Sequence, residues 1–279
     1  MTSVLPMLSG TGVWSGELRF GDPGDAAASA SELEQLGYTA AWIPDVGGDL
    51  FGPFDNLLGV TSTMTIASGI MNVWRHTHEE AGEWFTALSD DRRTRVMLGI
   101  GISHAPFIEE YKSPIATINA FLDGMDAAGI PDNRRCIAAL GPKMLEVARD
   151  RTAGSHPYLV NPEHTAQARS ILGDKGLFVE QGVVLQTDAE AARAIARKAV
   201  AIYTTLPNYV NNWKRLGYTE DEIVNTSDRF IDEIFVWGDA DAIGERIDAH
   251  RAAGADHVCI QALSAEGVPA VNTWRAVRP

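Results

Sequence analysis

The stretch VMLGIGISH, residues 96–104, decides the architecture. Alternation along a strand puts Val96, Leu98, Ile100 and Ile102 on one face and Met97, Gly99, Gly101 and Ser103 on the other. Glycine weakens a strand interior unless another backbone or a ligand has to come close. The second face is therefore hollow. Something approaches Gly99 and Gly101, and His104 stands at the strand's exit.

Strand and helix patterns alternate outward from this stretch in both directions. Upstream, GVWSG (12–16) precedes a helix over about 25–36 that stops at Gly37. YTAAWIPD (38–45) gives a second strand ending at Asp45, and MTIASGIMNV (64–73) a third, followed by a helix over about 78–88. Downstream, TINAFLDGMDAAG (117–129) reads as a helix, RRCIAAL (134–140) as a strand and PKMLEVARDRTA (142–153) as the next helix. SHPYLV (155–160), PEHTAQARSILG (162–173) and LFVEQGVVL (177–185) repeat the pattern. The beat breaks over about 206–237 and resumes with DADAIGERIDAHRAAG (239–254) and DHVCIQAL (256–263).

Such alternation implies a parallel sheet. Eight strands, most of them followed by helices, in about 250 residues predict a closed (β/α)8 TIM barrel rather than an open doubly wound sheet. No linker or shift of composition divides the chain, so residues 1–279 read as one α/β domain with a helical insertion near the seventh strand. Active sites of this fold lie at the C-terminal strand ends. Met97, Gly99, Gly101 and Ser103 are expected to face inward, with His104 on the rim. The glycines would equally suit a crowded barrel interior with no ligand involved.

With 45% hydrophobic and 22% charged residues the chain has an ordinary globular composition. Its formal charge of −14 argues against nucleic acid or an anionic membrane as partner, since both require a basic face. Cys136 and Cys259 lie in apolar runs without metal-ligand spacing and read as reduced core residues of a cytoplasmic protein. Neither a signal peptide nor a membrane span is expected.

Five segments carry a resemblance: WIPD (42–45), ASGIMNVWRH (67–76), RVMLGIGISH (95–104), ALGPKMLEVARDRTAG (139–154) and HPYLVNPEHTAQAR (156–169). Together they resemble the bacterial-luciferase-like superfamily, and within it the deazaflavin-dependent oxidoreductases that use coenzyme F420. The resemblance implies a barrel with an insertion near the seventh strand and a tricyclic cofactor ring over the barrel mouth. It implies hydride transfer between the cofactor and a small organic substrate, and a homodimer. FMN is the alternative cofactor, in a monooxygenase of the same superfamily. A non-catalytic cofactor-binding protein and a metal-dependent hydrolase are the remaining alternatives.

Carried over residue by residue, the resemblance puts Asp45 near the ring, in a catalytic and cofactor-binding role; otherwise Asp45 caps the following turn. Val46 stands where many deazaflavin enzymes have histidine. Asn72 and Val73 fall where the family often has a non-proline cis peptide behind the ring, and Gly101 and Ser103 border the cofactor. Gly141, Pro142 and Lys143 match the phosphate-holding segment. That chemistry is sensible in itself: glycine admits a close approach and a helix N-terminus offers N–H groups to an anion. An ordinary strand–helix turn with proline at the first helical position would look the same. Trp14, Trp74 and Tyr158 are candidates for lining the substrate pocket, or for simple packing.

His104 stands where several of these dehydrogenases carry a glutamate that exchanges a proton, a task imidazole also performs near neutral pH. RHTHEE (75–80), with His104 and His156 at strand ends, offers a metal-site alternative of the amidohydrolase kind. It lacks a bridging ligand and an acid at the exit of the last strand, so no metal is expected. His164 and His250 fall in helices, facing solvent or neighbouring side chains, and His257 lies inside the last strand with a structural role.

Overall fold

Eight strand positions close into a ring in this computed structural model, which describes residues 8–103 and 113–279. The segments are β1 (Gly10–Trp14), β2 (Ala40–Ile43), β3 (Thr65–Ser68), β4 (Met71–Asn72) and β5 (Val96–Gly101). They continue with β6 (Arg135–Ile137), β7 (Gly154–Ser155), β8 (Gly176–Leu185), β9 (Val236–Gly238) and β10 (His257–Ala262). The parallel ladder runs β1-β2-β3-β5-β6-β7-β8, and β10 pairs with both β8 and β1, which closes the barrel. β4 extends the β3 position along β5, while β9 pairs only with the exit end of β8. This is the expected (β/α)8 barrel. His104 lies outside the described residues.

The two faces of the strands sort as the alternation requires. Ala40, Trp42, Ala67, Met97, Cys136, Phe178 and Cys259 form a cluster inside the barrel. Val96, Leu98 and Ile100 join the larger core between strands and helices. Gly99 and Gly101 share the parity of Met97 and so face inward. Both thiols are unbridged and buried, and burial pushes them above their ordinary range. Among the described residues no helix is long and apolar enough to cross a membrane.

What fills the hollow over the glycines is the protein itself, backbone over Gly99 and the Ile70 side chain over Gly101. Ile66 and Met71 on the β3–β4 side pair with Val96 and Ile100, so five steps along one strand oppose four along β5. One residue is extra, which makes a bulge at Ser68–Ile70. A Cβ on Gly99 would stand 2.2 Å from the Ser68 carbonyl oxygen, and one on Gly101 2.5 Å from Ile70 Cδ1. Ser68 Oγ donates to the Gly99 carbonyl at 2.8 Å and ties the bulge down. The cis peptide joins Gly69 and Ile70, not Asn72 and Val73. The expected position is corrected by register: Asn72 pairs with Gly101 and Val73 N–H donates to the Gly101 carbonyl, so the ladder is regular there.

The strand expected over SHPYLV is reduced to Gly154–Ser155, one residue of that segment and the glycine before it. Pro157 has no N–H to give a ladder, and Leu159 takes a left-handed conformation with φ 56°. The chain turns away, and this turn receives the insertion. After β8 come the helix Ala189–Val200, a 3₁₀ turn Tyr203–Thr205, and the helices Pro207–Arg215, Glu220–Val224 and Asp228–Ile234. They build a core of their own around Trp213 and Phe230, whose rings meet edge-on at 4.9 Å. Trp213 Nε1 donates to the Leu159 carbonyl, and Asn161 Nδ2 to the Tyr218 hydroxyl, which pins the insertion beside β7.

Candidate active site

A cavity of about 360 Å³ opens at the C-terminal ends of the strands, within the size range of small-molecule sites. Its strand wall includes Trp14, Asp45, Gly69, Ile70, Asn72, Ser103, His156 and Tyr158. The insertion side contributes Ile202, Tyr203, Leu206 and Tyr209. A smaller cavity of about 110 Å³ shares Ile70, Ser103, His156 and Tyr158 and extends to Gly101, Ala139 and Leu140.

Asp45 follows the exit of β2, and its carboxylate is fully engaged with the protein. Oδ2 accepts from Asn72 N–H at 2.9 Å and Oδ1 from Gly47 N–H at 3.2 Å. His76 Nε2 approaches Oδ2 to 3.3 Å without hydrogen-bond alignment, while its Nδ1 faces Glu80 Oε2 at 3.2 Å. Asp45 thus ties the exits of β2 and β4 together at the cavity edge. Arg75 lines the same edge.

The aromatic wall is ordered by its polar atoms. Trp14 Nε1 donates to the Gly69 carbonyl at 2.8 Å, which anchors the indole to the bulge. Tyr158 OH donates to Gln261 Oε1 at 2.8 Å, and its ring lies 5.6 Å from Trp14 and 5.5 Å from Tyr203. Burial raises the phenols of Tyr158, Tyr203 and Tyr209, so all three stay protonated near neutral pH. Beneath them Glu180 is fully buried; its Oε2 accepts from Leu159 N–H at 3.0 Å, and burial lifts its pKa to about 8. The carboxyl is therefore neutral at pH 7 and holds the left-handed residue that follows Tyr158.

Gly141, Pro142 and Lys143 form the start of the helix Pro142–Arg151 and line neither cavity. No side chain caps that helix N-terminus, and Lys143 is exposed. A cation does come near from the insertion: a Cβ on Gly141 would be 3.6 Å from Arg215 Nη2. Arg215 donates to Asn212 Oδ1, and burial without an offsetting carboxylate lowers its pKa. The preceding carbonyl, Leu140, accepts from His164 Nε2 at 3.0 Å. An uncapped helix start beside a guanidinium is an arrangement that suits an anion.

Of the residues singled out from the sequence, Trp14, Asp45, Asn72, Gly101, Ser103 and Tyr158 meet at the two cavities. Val73 packs against the core, and Trp74 donates its indole N–H to the Ile102 carbonyl beside the site. Residues that sequence reasoning missed are Gly69 and Ile70 on the bulge, Tyr203 and Tyr209 on the insertion, and Arg215. The last three carry no local signal, because the insertion has no motif. His164 and His250 are buried rather than facing solvent, linked to Leu140, Thr165 and Gln181, because their helices pack against one another. No cluster of three metal-ligating side chains occurs among the described residues.

No family model and no curated protein matches the chain. Solved structures do. An F420-dependent secondary alcohol dehydrogenase in complex with an F420–acetone adduct matches with a TM-score of 0.75 at 15% identity, over 98% of this chain and 100% of that one. The coenzyme F420-dependent tetrahydromethanopterin reductase of Methanopyrus kandleri matches at 0.68 and 16%, over 96% and 97%. The oxygenating constituent of 3,6-diketocamphane monooxygenase of Pseudomonas putida, in complex with FMN, matches at 0.63 and 14%, over 91% and 92%. At such identities the likeness is one of fold: this chain has the barrel of F420- and flavin-dependent oxidoreductases.

Proposed function

We propose that the protein is an F420-dependent oxidoreductase in which a hydride passes between the deazaflavin and a small organic substrate. One observation carries the reading. The cavities run from the aromatic mouth to Leu140, one residue before an uncapped helix start with Arg215 beside it. A flat ring with a phosphate-bearing tail has that outline. Two of the similar solved structures are F420-dependent enzymes, which supports the same choice.

Bound there, a deazaflavin supplies the carbon that takes or gives the hydride, and the protein supplies orientation and electrostatics. Helix N–H groups after Gly141, with Arg215 and Lys143, would hold the phosphate. The bulge at Gly69–Ile70 and the ladder at Asn72 and Gly101 would back the ring, and Ser103 would hydrogen-bond at its edge. Trp14, Tyr158 and Tyr203 would shield the reacting centre from water. Asp45 orders the rim through its backbone contacts, and His104 keeps the proton-exchange role inferred from the sequence.

Titration of the pure protein with F420 and with FMN, followed by fluorescence, tests the reading. F420 is expected to bind at least about tenfold more tightly, and Arg215→Glu to weaken it about 10–100-fold, the scale of a lost charge-assisted contact. Equal or tighter FMN binding would transfer the protein to the monooxygenases. An Arg215→Glu variant with unchanged affinity would move the phosphate elsewhere.

A further inference from the structure

Two oppositely charged side chains line the larger cavity, Asp45 and Arg75, and they are held differently. The Asp45 side chain has no exposed surface, and its carboxylate accepts from Asn72 and Gly47 N–H. Arg75 is exposed, and among the described residues its guanidinium makes no ion pair and no hydrogen bond. That group is always charged and carries five N–H donors in a planar fork.

The fork has a prepared seat. A Cβ on Gly47 would stand 2.8 Å from Arg75 Nη1, so the guanidinium takes the space that another side chain would fill. Gly47 has φ 129°, which disfavours a side chain in any case. Its N–H donates to Asp45 and its carbonyl accepts from Arg19 Nη2 at 3.1 Å, which pins the loop. The Arg75 backbone is pinned as well. Its N–H donates to the Asn72 carbonyl at 3.0 Å, and His76 after it is buried against Asp45.

The rim beside this seat is apolar. Val46, next to Gly47, is 69% exposed and Ile202, on the insertion side, is 52% exposed, and both line the cavity. Leu206 and Tyr209 continue the surface into the buried wall. Covering exposed apolar side chains favours a ligand with a carbon body. A guanidinium without a carboxylate favours an anion that it can grip with two N–H groups.

We infer that Arg75 seats the carboxylate of the substrate, and that the substrate is an apolar monocarboxylic acid whose carbon body lies against the insertion wall. The inference rests on the proposed function in taking this cavity as the substrate's place. A phosphate dianion would bring a second charge that this one guanidinium leaves unmatched, on a chain of formal charge −14. A polyol would leave its hydroxyls facing Val46, Ile202 and Leu206. A monoanion with a carbon body matches both the seat and the rim.

Titration calorimetry with cyclohexanecarboxylate, cyclohexanol and acetate tests this on protein saturated with F420, so that the helix start beside Arg215 is already occupied. Cyclohexanecarboxylate should bind about 3–10-fold more tightly than cyclohexanol, between the scales of an exposed ion pair and a charge-assisted hydrogen bond. Acetate, a head without a body, should bind at least about tenfold more weakly than cyclohexanecarboxylate. Arg75→Gln should bring acid and alcohol to equal affinity without changing the hold on cyclohexanol. Arg75→Lys, which keeps the charge and loses the fork, should recover part of the preference. Raising salt from about 50 to about 500 mM should shrink the preference in the parent and leave the Gln variant unmoved. Arg75 is exposed and holds no other side chain in place, so both variants are expected to melt with the parent. Equal affinity for acid and alcohol in the parent, or a preference that survives Arg75→Gln, overturns the role of Arg75. Acetate binding as tightly as cyclohexanecarboxylate overturns the apolar body. Failure to bind F420 sinks the proposed function alone, and the same titrations on unloaded Arg215→Glu protein then read Arg75 by itself.

Discussion

The strand wall and the insertion wall of the cavity are built by different physics. On the strand side, backbone hydrogen bonds place each group: Asp45 grips Asn72 and Gly47, Trp14 grips Gly69, and the bulge is locked over Gly99. On the insertion side, position comes mainly from packing, with Tyr209 carried by a helix whose Trp213 packs on Phe230. A hydrogen-bonded wall tolerates little displacement, whereas a packed wall can be re-cut by changing side-chain volume. The first suits a fixed cofactor and the second a variable substrate. Substitutions should therefore separate the two walls, stability responding on one and ligand choice on the other.

Acid gives the largest expected effect, and it falls on the barrel scaffold of strands and helices. His156 and His257 flank Trp42, and His164 and His250 lie buried between helices and strands. Burial lowers all four, to about 4 for His156 and His164 and about 3 for His250 and His257. In the unfolded chain each takes its proton near 6.5, so below that pH the unfolded state binds more protons and stability falls. Glu180 acts the other way. Raised to about 8, it holds a proton that the unfolded chain releases near 4.5, and its stabilising contribution fades as pH rises from 4.5 to 8. Between pH 4.5 and 6.5 the four histidines against one carboxyl leave about three protons, or about 4 kcal/mol per pH unit. Thermal melts followed by tryptophan fluorescence should show stability highest near pH 6.5 and a steep fall below it. A melting temperature that hardly moves between pH 6.5 and 5 would mean that these imidazoles are charged in the fold.

Gly99→Ala comes next. The new methyl would meet a backbone carbonyl at 2.2 Å, so the bulge must move, at a cost of about 1–3 kcal/mol in urea denaturation. Gly101→Ala meets the flexible tip of Ile70 and should cost less. Equal stabilities would mean that the bulge is not clamped.

This pair also shows how far the sequence could be read. Alternation in residues 96–104 revealed a hollow face and its direction, because side-chain parity is local. The filler was invisible, since a one-residue bulge exists only in the register of β3 and β4 against β5. For the same reason the cis peptide was expected three residues too late. For His164 and His250 the sequence left solvent and neighbouring side chains both open, because their burial comes from one helix packing on another. Tyr203 and Tyr209 reach the cavity, and Arg215 the helix start at Gly141, only through the mutual packing of the insertion helices, which no periodicity announces.

The smallest effect should come from the insertion rim, where the contrast between the walls is easiest to break. Ile202 lines the cavity while remaining 52% exposed, so it contributes little to the core. Ile202→Ala should leave stability within about 0.5 kcal/mol of the parent, as surface changes usually do. A bound ligand, however, would cover part of this side chain. Losing that cover is worth about 0.5–1 kcal/mol at about 25 cal/mol per Å², or about a 2–5-fold weaker hold on cyclohexanol. Affinity for F420 should stay unchanged, because Ile202 stands on the wall assigned to the substrate. If Ile202→Ala weakened F420 and cyclohexanol equally, the two walls would not divide cofactor from substrate, and the ring would have to lie against the insertion.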